Sequence, residues 1–413
     1  MKKFIESIQH IDPKTGTTTI IDTNLQNVII TGGNGCGKTS FLKLLKNKIT
    51  NFCVDKAHSR TNDIERDLSH WKVRLENAIR GTHDASQAAH QVKYYEGELE
   101  KQNDGMEIKF SDINEFTALL DEGKAIFKYF IAERTAAIQE SAGAGKISLE
   151  EKIMQQKMNG NNTNLGSEFE NHLVNLKTRQ SFAKTYNNDS DLYNSFQQWF
   201  DDLESNISFL MEDESFKLTF DPDKFKFHLN QEGKSPYTFQ TLSSGYSSIF
   251  SITSELIMTT EAYKIPPSEL QGVVLIDEVD AHLHVSLQRK ILPFLNRTYR
   301  NIQFIVTTHS PFVIGSLDDA IIYDMSSRQQ FSELSNYSYE TIIEGLLGVP
   351  VVSILLEEDI IKLSSLLNTE KKEYSAIGEL VKKLNPYEDK LDDESAVFLL
   401  KARKILRERN GDK

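Results

Sequence analysis

The 413 residues carry 47 Lys plus Arg against 60 Asp plus Glu, a formal net charge of −13 at pH 7. That balance excludes a globally basic nucleic-acid footprint and leaves only a local basic groove open. With 39% hydrophobic and 26% charged residues, the composition is that of an ordinary globular protein with enough apolar residues for a large core. No apolar run approaches a membrane span and MKKFIESIQH lacks a signal-type apolar segment, so a cytoplasmic protein with no membrane contact is expected. Cys36 and Cys53 have neither metal-ligand spacing nor the setting of a structural disulfide.

From residue 3 to 30, short β-rich runs punctuated by DPKTGT predict a hairpin leading into a strand. Phe4, Ile5 or Ile11 could stack on adenine there, against the commoner place of such a residue in the core. The apolar strand Val28, Ile29, Ile30 then runs into GGNGCGKT, followed by an amphipathic helix with Phe41, Leu42, Leu44 and Leu45. This is G-x-x-x-x-G-K-[ST] between a strand and a helix, the context that gives the motif its meaning. Gly32, Gly33, Asn34, Gly35, Cys36, Gly37, Lys38, Thr39 and Ser40 form the expected nucleotide-binding set: glycines let backbone N–H groups converge on phosphate, and the helix N-terminus adds partial positive charge. Lys38 would reach the β- and γ-phosphates and the Thr39 hydroxyl would ligate Mg²⁺.

Ile64, Leu68, Trp71, Leu75 and Ile79, then Ala88, Val92, Tyr95 and Leu99 across a GTHD break, predict a helical hairpin with arms of about 20 residues, ~30 Å each. It packs on the main domain or meets a partner. MEIKF and AIFKYFIAERT read as strands, the second ending in Glu133 and Arg134, which either contact nucleotide or pair with each other. The Gly/Asn-rich stretch 139–166 reads as a loop. Helical spacing returns with Phe169, Leu173, Leu176 and Phe182, then Leu192, Phe196, Trp199, Phe200 and Leu203, a lid between the halves of the site. SFKLTF and KFKFHL interleave lysine with aromatics, as a solvated face or a nucleic-acid contact.

GVVLIDEVDAHLH is an apolar strand, buried on both faces, with Asp277 and Glu278 at its carboxyl end. Asp277 would hold Mg²⁺ through water while Glu278 orients or deprotonates the attacking water. NIQFIVTTHSPF is a further strand, running into His309, which would sense the γ-phosphate. Upstream of both, Leu242–Tyr246 reads LSSGY before an apolar helix. By itself that turn is more often a serine-capped helix start than a ligand site. Together, these segments resemble ABC-type ATPases, in the LSSG form of the branch holding the structural-maintenance-of-chromosomes (SMC), RecF and OLD-nuclease ATPases. The resemblance covers roughly residues 3–60, 105–135 and 215–325. It implies that Ser243, Ser244 and Gly245 act in trans on the γ-phosphate bound by a second subunit, that ATP is the substrate with Mg²⁺, and that Glu278, His309 and Lys38 are the catalytic set. Ser244 and Tyr246 depart from the LSGGQ form. Asp280 and Leu283 match the dimer-contacting loop of the branch, while His284 stands where SMC proteins carry Asp.

The expected fold is therefore α/β, an ABC/SMC-type P-loop ATPase head with a helical insertion and a helical C-terminal tail. Residues 1–55, 105–135 and 215–335 are expected to form the core, 56–104 the hairpin, 136–214 the lid, and 336–413 a segment for partner or oligomer contact. In the tail, Asp392 or Asp393 caps a last helix with Val397, Leu400 and Leu406 on its apolar side, and Lys401, Arg403, Lys404, Arg407 and Arg409 crowd its C-terminal half. No Toprim-type acidic cluster, HNH or DEDD pattern stands out. The chain resembles stand-alone ATPases of bacterial antiphage systems, nearest the PtuA-type subunit of Septu, with the PARIS ATPase second. That resemblance implies a head-to-tail homodimer, or a higher oligomer such as a hexamer, and a separate nuclease of HNH type, with nucleic acid contacted only indirectly. The alternatives are a RecF-like ATPase that binds DNA itself and a PARIS-type ATPase with a Toprim nuclease.

Overall fold

The computed structural model describes residues 3–13, 15–54, 57–78, 82–102, 105–145, 164–350, 352–369 and 372–411. It divides into two compact units, Met1–Tyr339 and Glu340–Lys413. The first runs β1 (Ile5–Ile11), β2 (Thr18–Asp22), β3 (Asn27–Thr31), α1 (Lys38–Ile49), α2 (Ala57–Asn77), α3 (His83–Gln102), β4 (Met106–Phe110), α4 (Ile113–Glu122) and β5 (Ala125–Phe130). It continues with α5 (Phe169–Thr185), α6 (Ser190–Met211), β6 (Lys217–Asp221), β7 (Lys226–Asn230), α7 (Ser244–Tyr263), β8 (Gln271–Ile276), α8 (Ile291–Thr298), β9 (Asn301–Thr307), β10 (Ala320–Asp324) and β11 (Gln329–Ser332).

The central sheet has the order β11-β10-β3-β9-β8-β5, parallel from β10 to β5 with β11 antiparallel at one edge. Every residue of β3 and β10 is buried, as are all but the first of β8 and β9, because both faces are covered and apolar side chains must fill each. A second, antiparallel sheet β2-β1-β4 lies against it. The buried amide of Gln303 on β9 joins the two: its Oε1 accepts from Ile5 N at 2.9 Å, and its Nε2 donates to Ile5 O at 3.0 Å and Gln26 O at 2.9 Å. Phe4 and Ile5 are wholly buried, and Phe4 packs on Phe116 with ring centroids 4.4 Å apart. The adenine-stacking role considered for them is excluded; Ile11 is 46% exposed.

The helices α2 and α3 pair as a hairpin, with Ile64, Leu68 and Ala88 buried between them and Lys72–Glu96 and Arg74–Asp84 ion pairs outside. Ile79 and the Leu99 side chain of the expected stripe lie outside the described residues, as does most of the expected loop, at 146–163. A second core joins α5 and α6 to the β6–β7 hairpin and α7 through Phe169, Leu173, Phe200, Phe216, Phe227 and Phe250. The hairpin thus packs with the helical insertion, and no structural edge falls at the expected boundary of 214 and 215. Phe182 (51% exposed) and Leu192 (36%) leave the expected stripe because they flank the α5–α6 turn. The hairpin lysines face carboxylates, Lys217 on Glu204, Lys224 on Asp221 and Lys226 on Glu140, while Phe227 is buried. This is a solvated, paired face.

In the second unit α9 (Ile354–Asn368), α10 (Tyr374–Leu384) and α11 (Asp393–Asn410) share a core of Leu363, Leu367, Ile377, Leu380, Leu399 and Ala402. Asp392 caps α11, accepting from Ser395 N at 2.9 Å. Its buried stripe is Ser395, Leu399 and Ala402, whereas Val397 and Leu400 are 46% and 55% exposed. Leu406 of the expected stripe is half-buried against the bundle core, while contact with α9 and α10 selects Leu399 and Ala402 over Val397 and Leu400. Of the basic residues, Arg403 bonds Glu388 and Asn385, and Arg409 lies over the Tyr374 ring. No described helix is long and apolar enough to cross a membrane.

One buried ion pair ties the sheet to the helical core. Lys128 on β5 donates to Glu255 Oε1 on α7 at 2.5 Å, and Gly166 N donates to Glu255 Oε2 at 2.7 Å. Removing one partner strands a buried charge. Lys128→Met is expected to cost about 3–5 kcal/mol in a urea titration, and K128M/E255L to recover part of it. An unchanged midpoint for K128M would contradict this assignment.

Candidate nucleotide site

The loop between β3 and α1 turns on left-handed glycines. Gly32 has φ 135° and Gly37, the N-cap of α1, φ 97°. A Cβ on Gly32 would stand 2.8 Å from Cys36 Sγ, 3.0 Å from Ser326 Oγ and 3.1 Å from Asp324 Oδ1, so the first position tolerates only glycine. Gly33 N donates to Ser326 Oγ at 2.8 Å, and Asp324 Oδ1 accepts from Ser326 N at 2.9 Å. The turn after β10 therefore braces the loop. Gly33, Asn34, Gly35 and Ser40 are exposed and Cys36, Gly37 and Thr39 half-buried. Lys38 is 6% exposed and its Nζ donates to Gly32 O at 2.8 Å and Gly33 O at 3.2 Å. The ammonium thus rests on the carbonyls of its own loop.

The strand order β3-β9-β8 sets the remaining groups beside this loop. Thr39 Oγ1 donates to Asp277 Oδ1 at 3.2 Å, and Thr307 Oγ1 donates to the same oxygen at 2.6 Å. Glu278 N donates to Thr307 Oγ1 at 2.7 Å, so one hydroxyl at the end of β9 joins both carboxylate residues. Glu278 is half-buried with φ 44°, in the left-handed region that a non-glycine residue seldom occupies. Arg134 neither pairs with the exposed Glu133 nor points at the loop; it is buried and donates to the Asp277, Glu278 and Val279 carbonyls. Burial lowers its pKa to about 10, against the pull of Asp280, Asp277 and Glu278, so it stays charged at neutral pH.

His309 follows β9 and feels Lys38, Asp280 and Glu278. Burial, then Lys38, lowers its pKa below the ordinary histidine value, with Asp280 and Glu278 opposing. Its neighbours hold the backbone: Thr308 Oγ1 donates to Asp280 Oδ1 at 2.5 Å and Ser310 Oγ to Gln288 Oε1 at 2.6 Å. Leu283 is buried, and His284 caps the turn Val285–Gln288.

The signature turn stands apart. Leu242 and Tyr246 pack partly into the helical core and leave Ser243 and Ser244 exposed. Ser243 is the N-cap of α7 yet makes no side-chain cap bond, against the reading of a serine-capped helix. A Cβ on Gly245 would stand 2.9 Å from His282 O, so this glycine permits close approach to the loop that follows β8. Among the described residues, no hydrogen bond links Ser243, Ser244 or Gly245 to the phosphate loop of their own chain.

Lys38, Thr39, Asp277, Glu278 and His309 are thus gathered by the sheet. Sequence reasoning missed Thr307, Asp324 and Ser326 and misread Arg134. A threonine ending β9 is a readable signal for the first; an Asp ending an unforeseen strand and a Ser just after it carry none. The hydroxyl and carboxylate pair of Thr39 and Asp277 suits Mg²⁺, which takes one or two protein oxygens and completes its shell with phosphate and water. Among the described residues there is no group of three or more His, Cys, Asp or Glu that could hold a metal.

Comparison with known proteins agrees with this geometry. The model of the KAP family P-loop domain matches residues 2–213, and the model described as "AAA domain, putative AbiEii toxin, Type IV TA system" matches 152–315. The first spans the phosphate loop, the second the signature turn and the Asp277–Glu278 strand end. Retron Ec83 probable ATPase of Escherichia coli is 40% identical over 93 residues, 22% of this chain and 17% of that protein. Septu protein PtuA of Bacillus mycoides (strain KBAB4) is 32% identical over 112 residues, 26% and 16%. Retron Vc95 probable ATPase of Vibrio cholerae serotype O1 biovar El Tor is 28% identical over 236 residues, 55% and 42%. The match spans less than half the length of each of these relatives. With the KAP model spanning just over half of its residues, the chain belongs to the KAP family of P-loop domains, and it is similar over part of its length to two retron probable ATPases and to Septu protein PtuA.

Proposed function

We propose that this chain binds and hydrolyses ATP with Mg²⁺ at sites completed by a second copy set head to tail, and that nucleotide state controls a separate nuclease of HNH type in an antiphage system. The observation that carries the shared site is the signature turn: two exposed serines at a helix N-terminus, anchored on both sides and uncapped by their own hydroxyls. Exposed N–H groups and a hydroxyl there make an anion site. The similarity to Septu protein PtuA and to retron ATPases supports the defence setting.

Each chain residue then has a task. Lys38 leaves the Gly32 and Gly33 carbonyls for the β- and γ-phosphates, so the loop is preorganised around a cation. Thr39 and Asp277 would hold Mg²⁺, which when bound neutralises charge developing on the phosphates. Glu278 orients the attacking water and takes its proton. His309 is neutral at pH 7 and can bond both water and phosphate. Ser243, Ser244 and Gly245 of the partner copy close on the γ-phosphate.

Glu278→Gln is expected to keep ATP and trap the dimer, with phosphate release down by about 10²–10⁴-fold, the range for a positioned base; a wild-type rate would reject the role. Because the His309 pKa is lowered, hydrolysis should hold through neutral pH and decline only below the ordinary histidine value of 6.5. A pH–rate profile whose acid limb persists unchanged in H309A would contradict this use of His309. ATP-dependent, steeply salt-sensitive DNA binding by the isolated chain would favour a RecF-like function instead.

A further inference from the structure

The left-handed φ of Glu278 must be imposed from outside, since the carboxylate side chain gains nothing locally from it. Two sets of bonds do so. On the amide side, Thr307 takes both N–H groups of the turn: its hydroxyl accepts from Glu278 N at 2.7 Å and its carbonyl from Val279 N at 3.0 Å. On the carbonyl side stands Arg134, 7% exposed. Its Nη1 donates to Asp277 O at 2.8 Å and Ile131 O at 3.1 Å, and its Nη2 to Glu278 O at 3.1 Å and Val279 O at 2.9 Å. Three consecutive carbonyls, 277 to 279, thus converge on one planar cation. A guanidinium fork fits that convergence and an ammonium does not.

We propose that Arg134 is the positioning residue of the hydrolytic carboxylate: by gathering the 277–279 carbonyls it holds Glu278 in its left-handed conformation and aims the carboxylate at the attacking water, without touching nucleotide. The strap that carries it continues to the signature helix, where Ala136 N donates to Ser247 Oγ at 2.9 Å. Displacement of Arg134 therefore disturbs the carboxylate first and the exposed serines second. The inference rests on Glu278 having the role given to it above.

The test is a cycle of R134K, R134Q, E278Q and the doubles R134K/E278Q and R134Q/E278Q in the full chain. It reads ATP affinity with a fluorescent nucleotide, single-site phosphate release, and the unfolding midpoint. The single Arg134 variants should lose about 10²-fold in kcat, the cost of an ångström-scale misplacement, with ATP affinity within about twofold and a cooperative unfolding transition retained at a lower midpoint, because buried carbonyls lose their donor. On the E278Q background the same changes should cost nothing further, because the residue they aim is already disabled. Loss of ATP affinity ahead of kcat, full additivity with E278Q, or wild-type kcat in both variants would overturn the proposal. Failure of both to fold would assign Arg134 to the scaffold and overturn it too. A wild-type rate in E278Q alone would instead sink the reading of Glu278, so the two failures are distinguishable.

Discussion

Strand β9 lies between β3 and β8, and the nucleotide site exists because of that placement. The phosphate loop leaves β3, the paired carboxylates leave β8, and the threonine that bridges them ends β9. Parallel pairing sets all three carboxyl ends on one edge of the sheet, where α/β folds bind their ligands. The register is specified by full burial on both faces, since a slip of one residue would leave Thr307 unable to reach Asp277 and Glu278 together. Gln303 secures the same strand at its far end, where it satisfies the backbone of β1.

Beside this edge, within the same compact unit, the helical core has its own apolar cluster. Among the described residues, polar links between the two include the Lys128–Glu255 pair, the bond from Ala136 N to Ser247 Oγ, and Lys290, which bonds Phe209 O and pairs with Glu212 at the end of α6. The first two, and the close approach of Gly245 to the His282 carbonyl, converge on α7, whose start carries the exposed serines. In the proposed shared site, the serines lent to a second copy ride on the helix that the strap from Arg134 contacts through Ala136 N and Ser247 Oγ. This arrangement is suited to coupling nucleotide state in one site with closure of the other.

Much of the site was legible because its chemistry demands particular residue types at fixed spacing. The run Gly32 to Thr39, the Asp277–Glu278 pair after an apolar strand, and His309 after another each match what phosphate, metal and water chemistry would ask for, and the sheet brings them together. What stayed hidden depends on tertiary contact. Arg134 ends a strand as surface charges commonly do, and only the fold brings three carbonyls to it. Ser326 is one serine among many until β10 pairs with β3. The strand β10 and the helix α4 were not foreseen, although Asp112 and Gly123 are ordinary cap residues for α4. In α11 the bundle rather than the pattern selects Leu399 and Ala402 over Val397 and Leu400.

The head-to-tail shared site is tested most directly by complementation between two dead variants. K38A lacks a working phosphate loop but keeps its signature turn; S243R keeps its loop but blocks the turn it lends. If each site draws on two chains, equimolar mixing restores steady-state phosphate release that neither variant has alone, since the mixed dimer holds one intact site. If mixing leaves the solution as inactive as its components, while both variants remain folded and assemble with one another, the site is not shared and the account is wrong.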